Sequence, residues 1–344
     1  NTMQQPLYGL IGGKLGHSYS KIIHEQIADY TYDLLPLPTE AEARAFMEKR
    51  AFAAINVTIP YKQLVIPYCD EVDPKAKAIG AVNTIVNRDG RLYGYNTDYA
   101  GFSYLAKAHG VDFADKTVLI LGTGGTHSTV AAVCRDGGAK EILTASRTGK
   151  DGALLYSEAM HRRDVQIIVN TTPCGMFPNV GQCLIDPKAF PALEAVLDVV
   201  YNPFRTELLL RAEDCGVTVA GGFEMLVAQA VFAAEHFTGR QLDTAALIPA
   251  VSRRLRHELA NVSIIGRAAA NPRWARRWPS GWASDSWIWT RKLNAAPGII
   301  FPTSLPRRAR LLSAAMRRKC WPRLPRTTAR SSPAAAGSSN PPPT

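Results

Sequence analysis

The run Thr117-Val118-Leu119-Ile120-Leu121, followed without a break by Gly122-Thr123-Gly124-Gly125-Thr126, decides how this chain folds. Its first half is a β-branched and apolar run, as a strand buried on both faces of a parallel sheet requires. Its second half is rich in glycine, which lets a backbone turn sharply and come close to a pyrophosphate. A helix is expected next, through Val130-Ala131-Ala132-Val133-Cys134, with its positive N-terminus aimed at that charge. A lone glycine cluster says little. Here a strand precedes it, a helix follows, and a second strand, Glu141-Ile142-Leu143-Thr144-Ala145, stands at the right distance. The class is therefore α/β with a Rossmann-like domain, and Gly122, Gly124, Gly125 and Thr126 are its candidate phosphate-binding residues. His127 departs from the fingerprint, since it puts a ring at the third small position, where the helix should pack on the strand.

The end of the second strand bears on the cofactor. An acid there would hold the ribose 2′-hydroxyl of NAD, whereas an arginine accommodates the 2′-phosphate of NADP. The chain has Ser146-Arg147-Thr148 and no carboxylate, and a guanidinium meets a phosphate with a planar fork of donors. This favours NADP, against the plainer alternative that Arg147 only solvates a surface loop.

Upstream lies a second set of polar residues, in Asn56-Val57-Thr58-Ile59-Pro60-Tyr61-Lys62, Gly80-Ala81-Val82-Asn83-Thr84 and Asn96-Thr97-Asp98. Pro60 fixes φ and removes a donor, so a strand should end near it and present the following side chains in a cleft. A lysine there can do proton chemistry. Its reference pKa of about 10.4 falls with burial and rises beside a carboxylate such as Asp98, so Lys62 and Asp98 are expected to titrate as a pair. Plainer readings exist for each piece. Asn-Thr-Asp often forms a turn, a lysine after Pro-Tyr is often only solvated, and Ser20, ahead of Lys21-Ile22-Ile23-His24-Glu25, could cap a helix.

Together with Gly16-His17-Ser18-Tyr19-Ser20, these segments resemble the shikimate dehydrogenases of aromatic amino-acid biosynthesis, over residues 6–250 or so. The resemblance implies that Ser18, Ser20, Thr58, Asn83 and Asp98 bind the hydroxyls and carboxylate of shikimate, with Lys62 and Asp98 as the catalytic pair. It implies further that the strands Ile167-Ile168-Val169-Asn170 and Val196-Leu197-Asp198-Val199-Val200 end on the nicotinamide side, with Tyr201 as a substrate contact. In the helix that starts at Gly221-Gly222-Phe223 and should stop at Gly239, Gly222 and Met225 would lie against the nicotinamide and Gln229 would bond substrate. Periodicity alone would put Met225 in the core. The implied architecture is a substrate domain from residues 1–100 and 223–262 and an NADP-binding domain from residues 101–222, with the site between them. Two other classes stay open: a dehydrogenase that prefers quinate or another cyclic hydroxy acid, and an NADP-binding sensor without turnover.

Composition changes after Gly266. All six tryptophans lie beyond it, and residues 267–344 hold 13 Arg and 2 Lys against Asp285 alone, which leaves 25 basic and 28 acidic groups in residues 1–266. The basic balance therefore belongs to a Pro-, Ser- and Arg-rich tail. Clustered arginines would suit nucleic acid, and the lack of periodic apolar pattern suits disorder. A third reading comes from the genetic code. One choice of codons for Arg267-Ala268-Ala269-Ala270-Asn271-Pro272-Arg273-Trp274, read one base earlier, gives Pro-Gly-Cys-Gly-Lys-Ser-Thr-Leu, which resembles the phosphate loop of a shikimate kinase. The expectation is an unfolded tail without kinase activity or a nucleic-acid partner.

No apolar run is long enough to span a bilayer, and no secretory signal precedes Tyr8-Gly9-Leu10-Ile11-Gly12. The six cysteines form no CxxC pair, which argues against a metal site and suits reduced thiols in a cytoplasm.

Overall fold

Apolar strands and amphipathic helices alternate along the chain, and in the computed structural model, which describes residues 6–16, 18–259, 261–265 and 288–292, they build two six-stranded sheets. The first half comprises β1 (Tyr8–Gly12), α1 (Ser20–Ile27), β2 (Tyr32–Pro36), α2 (Glu40–Lys49), β3 (Ala54–Val57), β4 (Glu71–Val72), α3 (Pro74–Ile79), β5 (Thr84–Arg88) and β6 (Arg91–Tyr95). Helix α4 (Thr97–Ala108) links it to β7 (Thr117–Leu121), α5 (His127–Asp136), β8 (Glu141–Ser146), β9 (Leu154–Leu155), α6 (Tyr156–Ala159), β10 (Ile167–Asn170), β11 (Ala195–Asp198), α7 (Glu207–Asp214) and β12 (Thr218–Gly221). Two long helices, α8 (Phe223–Thr238) and α9 (Thr244–Leu259), follow.

The first sheet is mixed, in the order β2-β1-β3-β5-β6-β4, with β5 antiparallel to both of its neighbours. The second is parallel throughout, in the order β12-β11-β10-β7-β8-β9. Counted from β7, that is the doubly wound dinucleotide-binding order, whose switch point falls between β7 and β10. The strand period of two divides its core. Val118 and Ile120 face α4 and α5 through Phe102, Leu105, Val130 and Cys134, while Leu119 and Leu121 face α7 through Leu208, Leu209 and Ala212.

Two helices serve both sheets. Phe102 and Leu105 of α4 and Met225 of α8 pack under the parallel sheet, whereas Ala233 and Phe237, farther along α8, pack against Leu10, Tyr32 and Ala54 of the mixed one. Helix α4 runs without a break through the position 100/101 where a domain boundary was expected. Gly239, at φ +66°, closes α8, as the sequence suggested. Residues Asn1–Glu258 form one compact unit. In the chain beyond it, β13 (Asn261–Ile265) pairs antiparallel with β14 (Ile288–Lys292), five residues inside the span expected to be unfolded. The rest of residues 267–344, and with it the readings made of the tail, lies outside the described residues, as does His17. Among the described residues no helix is long and apolar enough to cross a membrane.

The α4–α8 contact depends on a glycine. A Cβ at Gly101 would stand 2.9 Å from both the Gln229 Cβ and the Met225 carbonyl oxygen, so the helices can only be this close with no side chain there. Gly101→Ala is expected to push them apart and cost about 1–3 kcal/mol, the usual range for overpacking. Urea unfolding of the variant at neutral pH reads this, and an unchanged midpoint would mean that α8 gives way freely.

Candidate active site

The site forms where chain ends leave both sheets. Strand β3 stops at Val57, and the loop beyond is tied back to β1, with the Thr58 N–H donating to the Ile11 carbonyl at 2.9 Å and the Gly13 N–H to the Ile59 carbonyl at 3.1 Å. Lys62 stands in that loop and its carbonyl accepts from the Val82 N–H at 2.9 Å. Asp98 stands in the first turn of α4, whose N-cap is Asn96: the Asn96 Oδ1 accepts from the Tyr99 N–H at 3.1 Å. The tripeptide Asn-Thr-Asp is thus a capped helix start rather than a free turn. Lys62 Nζ meets Asp98 Oδ2 at 2.6 Å, and the two side chains are only 15% and 13% exposed.

Beneath this pair runs a buried polar chain. The Tyr32 hydroxyl donates to Asn56 Oδ1 at 2.7 Å, and Asn56 Nδ2 donates to Thr84 Oγ1 at 3.0 Å. Asn83 Oδ1 accepts from the Thr97 N–H at 2.7 Å and from Thr84 Oγ1 at 3.0 Å. The amide of Asn83 is thereby oriented, and the start of α4 is fixed to β5. Ser20 is the first helical residue of α1, not its cap, which is Tyr19 and makes no capping bond. Instead Ser18 Oγ donates to Ser20 Oγ at 3.1 Å, which sets the two hydroxyls side by side.

The facing wall comes from the parallel sheet. Gly122, at φ +98°, has no room for a Cβ, which would meet Thr172 Cγ2 at 2.6 Å, whereas a Cβ on Gly124 or Gly125 would touch nothing within 4 Å. That open, exposed backbone lies just ahead of α5, whose first turn carries no acid, so the loop suits a pyrophosphate. His127 does not obstruct it. The ring turns toward the sheet and bonds Thr144 Oγ1 of β8 at 2.8 Å, and burial lowers its pKa, which favours the neutral form. At the end of β8, Ser146 Oγ accepts from the Gly149 N–H at 3.0 Å, a closed turn that leaves Arg147 and Thr148 exposed at its tip. These residues fit a 2′-phosphorylated dinucleotide.

Between the walls is a cleft of about 390 Å³. Ser18, Ser20, Thr58, Lys62, Asn83, Asp98, Tyr201 and Gln229 all line it, joined by Thr126, Gly222 and Met225. Gly122, Gly124, Gly125, Ser146, Arg147 and Thr148 do not; they sit at the carboxyl ends of β7 and β8. Gly222 is forced by packing, because a Cβ there would stand 2.2 Å from the Val199 carbonyl oxygen. Met225 is both core and wall, being 6% exposed yet open to the cleft. Gln229 holds its side chain down by donating from Nε2 to the Leu226 carbonyl at 2.9 Å.

Residues 10–85 match the shikimate dehydrogenase substrate binding domain family. An NADP(+) shikimate dehydrogenase of Clostridium perfringens strain SM101 is 37% identical over 254 residues, which is 69% of this chain and 94% of that protein. The chain belongs to the shikimate dehydrogenase family. Among solved structures, shikimate dehydrogenase 1 of Peptoclostridium difficile aligns with a TM-score of 0.67 at 32% identity, covering 73% of this chain and 98% of that one. The Thermus thermophilus shikimate 5-dehydrogenase, in complex with NADP(H) and shikimate, aligns with a TM-score of 0.64 at 29% identity, over 72% and 99%. The two-sheet α/β architecture and its Rossmann-like half are those of this family of oxidoreductases.

Sequence reasoning passed over several lining residues. Asn56 opens the Asn-Val-Thr segment and carries no role by resemblance, although a polar residue in a buried strand is itself a signal. Lys14, Met176 and Val199 gave none. Asp198, at the end of β11, is fully buried and pushed up to about 6 by that burial. It accepts from Asn170 Nδ2 at 2.9 Å, the Val200 N–H at 3.0 Å and Thr206 Oγ1 at 2.6 Å, and so pins the backbone that carries Val199 and Tyr201.

His24, behind the polar chain, is buried, stacks on Tyr32 at 4.1 Å and bonds the Tyr30 hydroxyl at 2.8 Å. Burial pulls its pKa down to about 3. Between pH 6.5 and 3 the unfolded chain binds a proton at this residue that the folded chain refuses, so stability from this source is full above pH 6.5 and falls as pH drops. Asp198 works in the opposite sense below pH 6, because its folded form holds a proton more tightly than the unfolded chain. His24→Phe keeps the stack and removes the proton site. Its urea midpoint should fall less between about pH 7 and 4.5 than that of the unaltered chain, and parallel declines would contradict the assignment.

Proposed function

We propose that the chain catalyses the reversible NADPH-dependent reduction of 3-dehydroshikimate to shikimate, a step of aromatic amino-acid biosynthesis. The observation that carries this reading is the Lys62–Asp98 pair at 2.6 Å, facing Ser18, Thr58, Asn83 and Gln229 across a cleft next to a glycine loop. Relatives named as NADP(+) shikimate dehydrogenases, and a related structure that holds NADP(H) and shikimate, support both substrate and cofactor.

NADP, when bound, supplies the hydride exchange at its nicotinamide. Gly122, Gly124, Gly125 and Thr126 would hold its pyrophosphate, Arg147 with Ser146 and Thr148 its 2′-phosphate, and Gly222 and Met225 its nicotinamide side. Lys62 gives a proton to the substrate oxygen in reduction and takes it back in oxidation, a role worth roughly 10²–10⁴-fold in typical enzymes. Asp98 fixes the direction of the Lys62 ammonium. Ser18, Ser20, Thr58, Asn83, Tyr201 and Gln229 orient a small polyhydroxylated ring in the cleft, which supplies the positional part of catalysis. In this reading residues 1–100 and the helix from Phe223 onward form the substrate side, residues 101–222 the cofactor side, and the enzyme works in the cytoplasm, in keeping with five described cysteines that are all free thiols.

The whole chain should reduce NADP with shikimate faster than it reduces NAD with shikimate or either cofactor with quinate. Turnover confined to quinate would move the assignment to a quinate enzyme, and cofactor binding without any turnover would make the protein a sensor. Lys62→Ala should lower kcat at least about 100-fold while shikimate still binds. Arg147→Ala should raise the KM for NADP about tenfold or more and leave that for NAD nearly unchanged, since one charge-assisted fork is lost. Equal effects on the two cofactors would remove Arg147 from the phosphate site.

A further inference from the structure

The cleft holds three charged side chains among its lining residues, Lys14, Lys62 and Asp98. Two of them cancel, because the Lys62 ammonium is matched by Asp98 at 2.6 Å. The remaining polar lining, including Ser18, Ser20, Thr58, Asn83 and Gln229, is neutral. Lys14 alone adds net charge to the cleft. It is exposed, and among the described residues its ammonium has no ion pair or hydrogen bond.

Its place is fixed although its head is free. On one side the Gly13 N–H is bonded to the Ile59 carbonyl at 3.1 Å, which ties this loop to the one bearing Lys62. On the other, Leu15 is buried and its carbonyl accepts from the Ser18 N–H at 3.0 Å. The flexible stem of Lys14 therefore starts from an anchored point beside the paired Ser18 and Ser20 hydroxyls. An anion leaving water for a cleft of neutral donors meets a desolvation penalty that hydroxyls only partly offset, whereas a nearby unpaired ammonium offsets more.

We propose that Lys14 is the counter-charge for the substrate's carboxylate, acting beside the Ser18 and Ser20 hydroxyls, and that it makes the cleft select a carboxylate over the corresponding neutral ester. This rests on the reading that the substrate is shikimate. Lys14 takes no part in proton transfer; it sets which ring acids enter and hold. A compact ammonium on a four-carbon stem follows a carboxylate without demanding one geometry, so arginine should replace it in part.

The test uses the whole chain, with calorimetric titration of shikimate and of its methyl ester into the unaltered protein, Lys14→Gln and Lys14→Arg. The Lys14→Gln variant should weaken shikimate about tenfold or more and the ester by less than about threefold, since only a charge-assisted contact is removed. Lys14→Arg should restore most of the preference for the acid. In the unaltered chain shikimate affinity should also fall as salt rises from roughly 20 to 300 mM, and that dependence should flatten in Lys14→Gln. Equal losses for acid and ester would reduce Lys14 to a structural residue and overturn the proposal. So would an unchanged ratio of acid to ester with a weakened NADP, which would assign Lys14 to the cofactor. If the unaltered chain neither binds nor oxidises shikimate, the functional reading fails and the proposal with it. If it oxidises shikimate while Lys14→Gln keeps the full acid preference, the proposal alone fails.

Discussion

The separation of α4 and α8 constrains everything else in this molecule. The mixed sheet ends in α4 and the parallel sheet ends in α8, so the two helices are the seam along which the halves meet. Asp98 stands at the start of one; Met225 and Gln229 stand along the other, opposite Gly101. Because a Cβ at Gly101 would stand only 2.9 Å from Gln229 Cβ and the Met225 carbonyl oxygen, any side chain there would widen the seam, and a shift of about 1 Å would move the Lys62–Asp98 pair relative to the wall that faces it. Reacting groups must stand in near-attack contact, so catalysis is sensitive to displacements on this scale. The absence of one side chain at Gly101 thus bears on geometry across the whole cleft.

The electrostatics of the cleft follow from what surrounds the pair. Lys62 and Asp98 are both mostly shielded from water, and such a pair is held at a desolvation cost that only close contact and further hydrogen bonds offset. The buried chain from Tyr32 through Asn56 and Thr84 to Asn83 and Thr97 supports it from below, since it fixes the first turn of α4 through the Thr97 N–H. A fully satisfied network of this kind rigidifies, and a partly satisfied one would loosen the carboxylate it positions. The polar residues beneath the site are therefore as consequential for its geometry as those that line it.

Much of this was legible in the sequence where a single local rule controls the outcome. The run through Leu119 and Ile120 reads as a buried strand because a glycine loop and a helix follow it, and so the dinucleotide half followed from strand, loop and helix in order. The set Ser18, Ser20, Thr58, Lys62, Asn83 and Asp98 was readable as a group by resemblance, but its assembly was not, because the register that brings residues 18, 62 and 98 together is a property of the folded sheets. Ser20 shows where local logic misleads: the residue type fits a cap, yet the helix begins on Ser20 and the hydroxyl bonds Ser18. His127 looked like an intrusion because the fingerprint says nothing of Thr144, one strand away, which accommodates the ring. Asp198 gave no signal at all, since an acid at a strand end is ordinarily solvated, and only the tertiary structure covers it. The helix start at Asn96 escaped notice for the opposite reason, as the same residues make good turns.

His24 and Asp198 together suggest how such a cleft is kept in shape. Each is a fully buried ionisable group set one layer behind the site, His24 behind the polar chain of the mixed sheet and Asp198 behind Val199 and Tyr201. Apolar residues could fill either volume, but they could not orient neighbours. Asp198 takes three donors, Asn170 at the end of β10 and Val200 and Thr206 near the two ends of the loop between β11 and α7, and so fixes a loop that no regular element holds. His24 lies between Tyr32 and Phe237 as a flat, neutral ring and presents Tyr30 with a partner. Their burial moves the two pKa values in opposite directions, yet both shifts leave the neutral form favoured relative to water. At neutral pH His24 is uncharged, whereas Asp198, with its pKa at about 6, is mostly ionised and its charge is held by its three donors. Both position what lies in front of them, and the charged residues of the cleft lining itself are Lys62, Asp98 and Lys14.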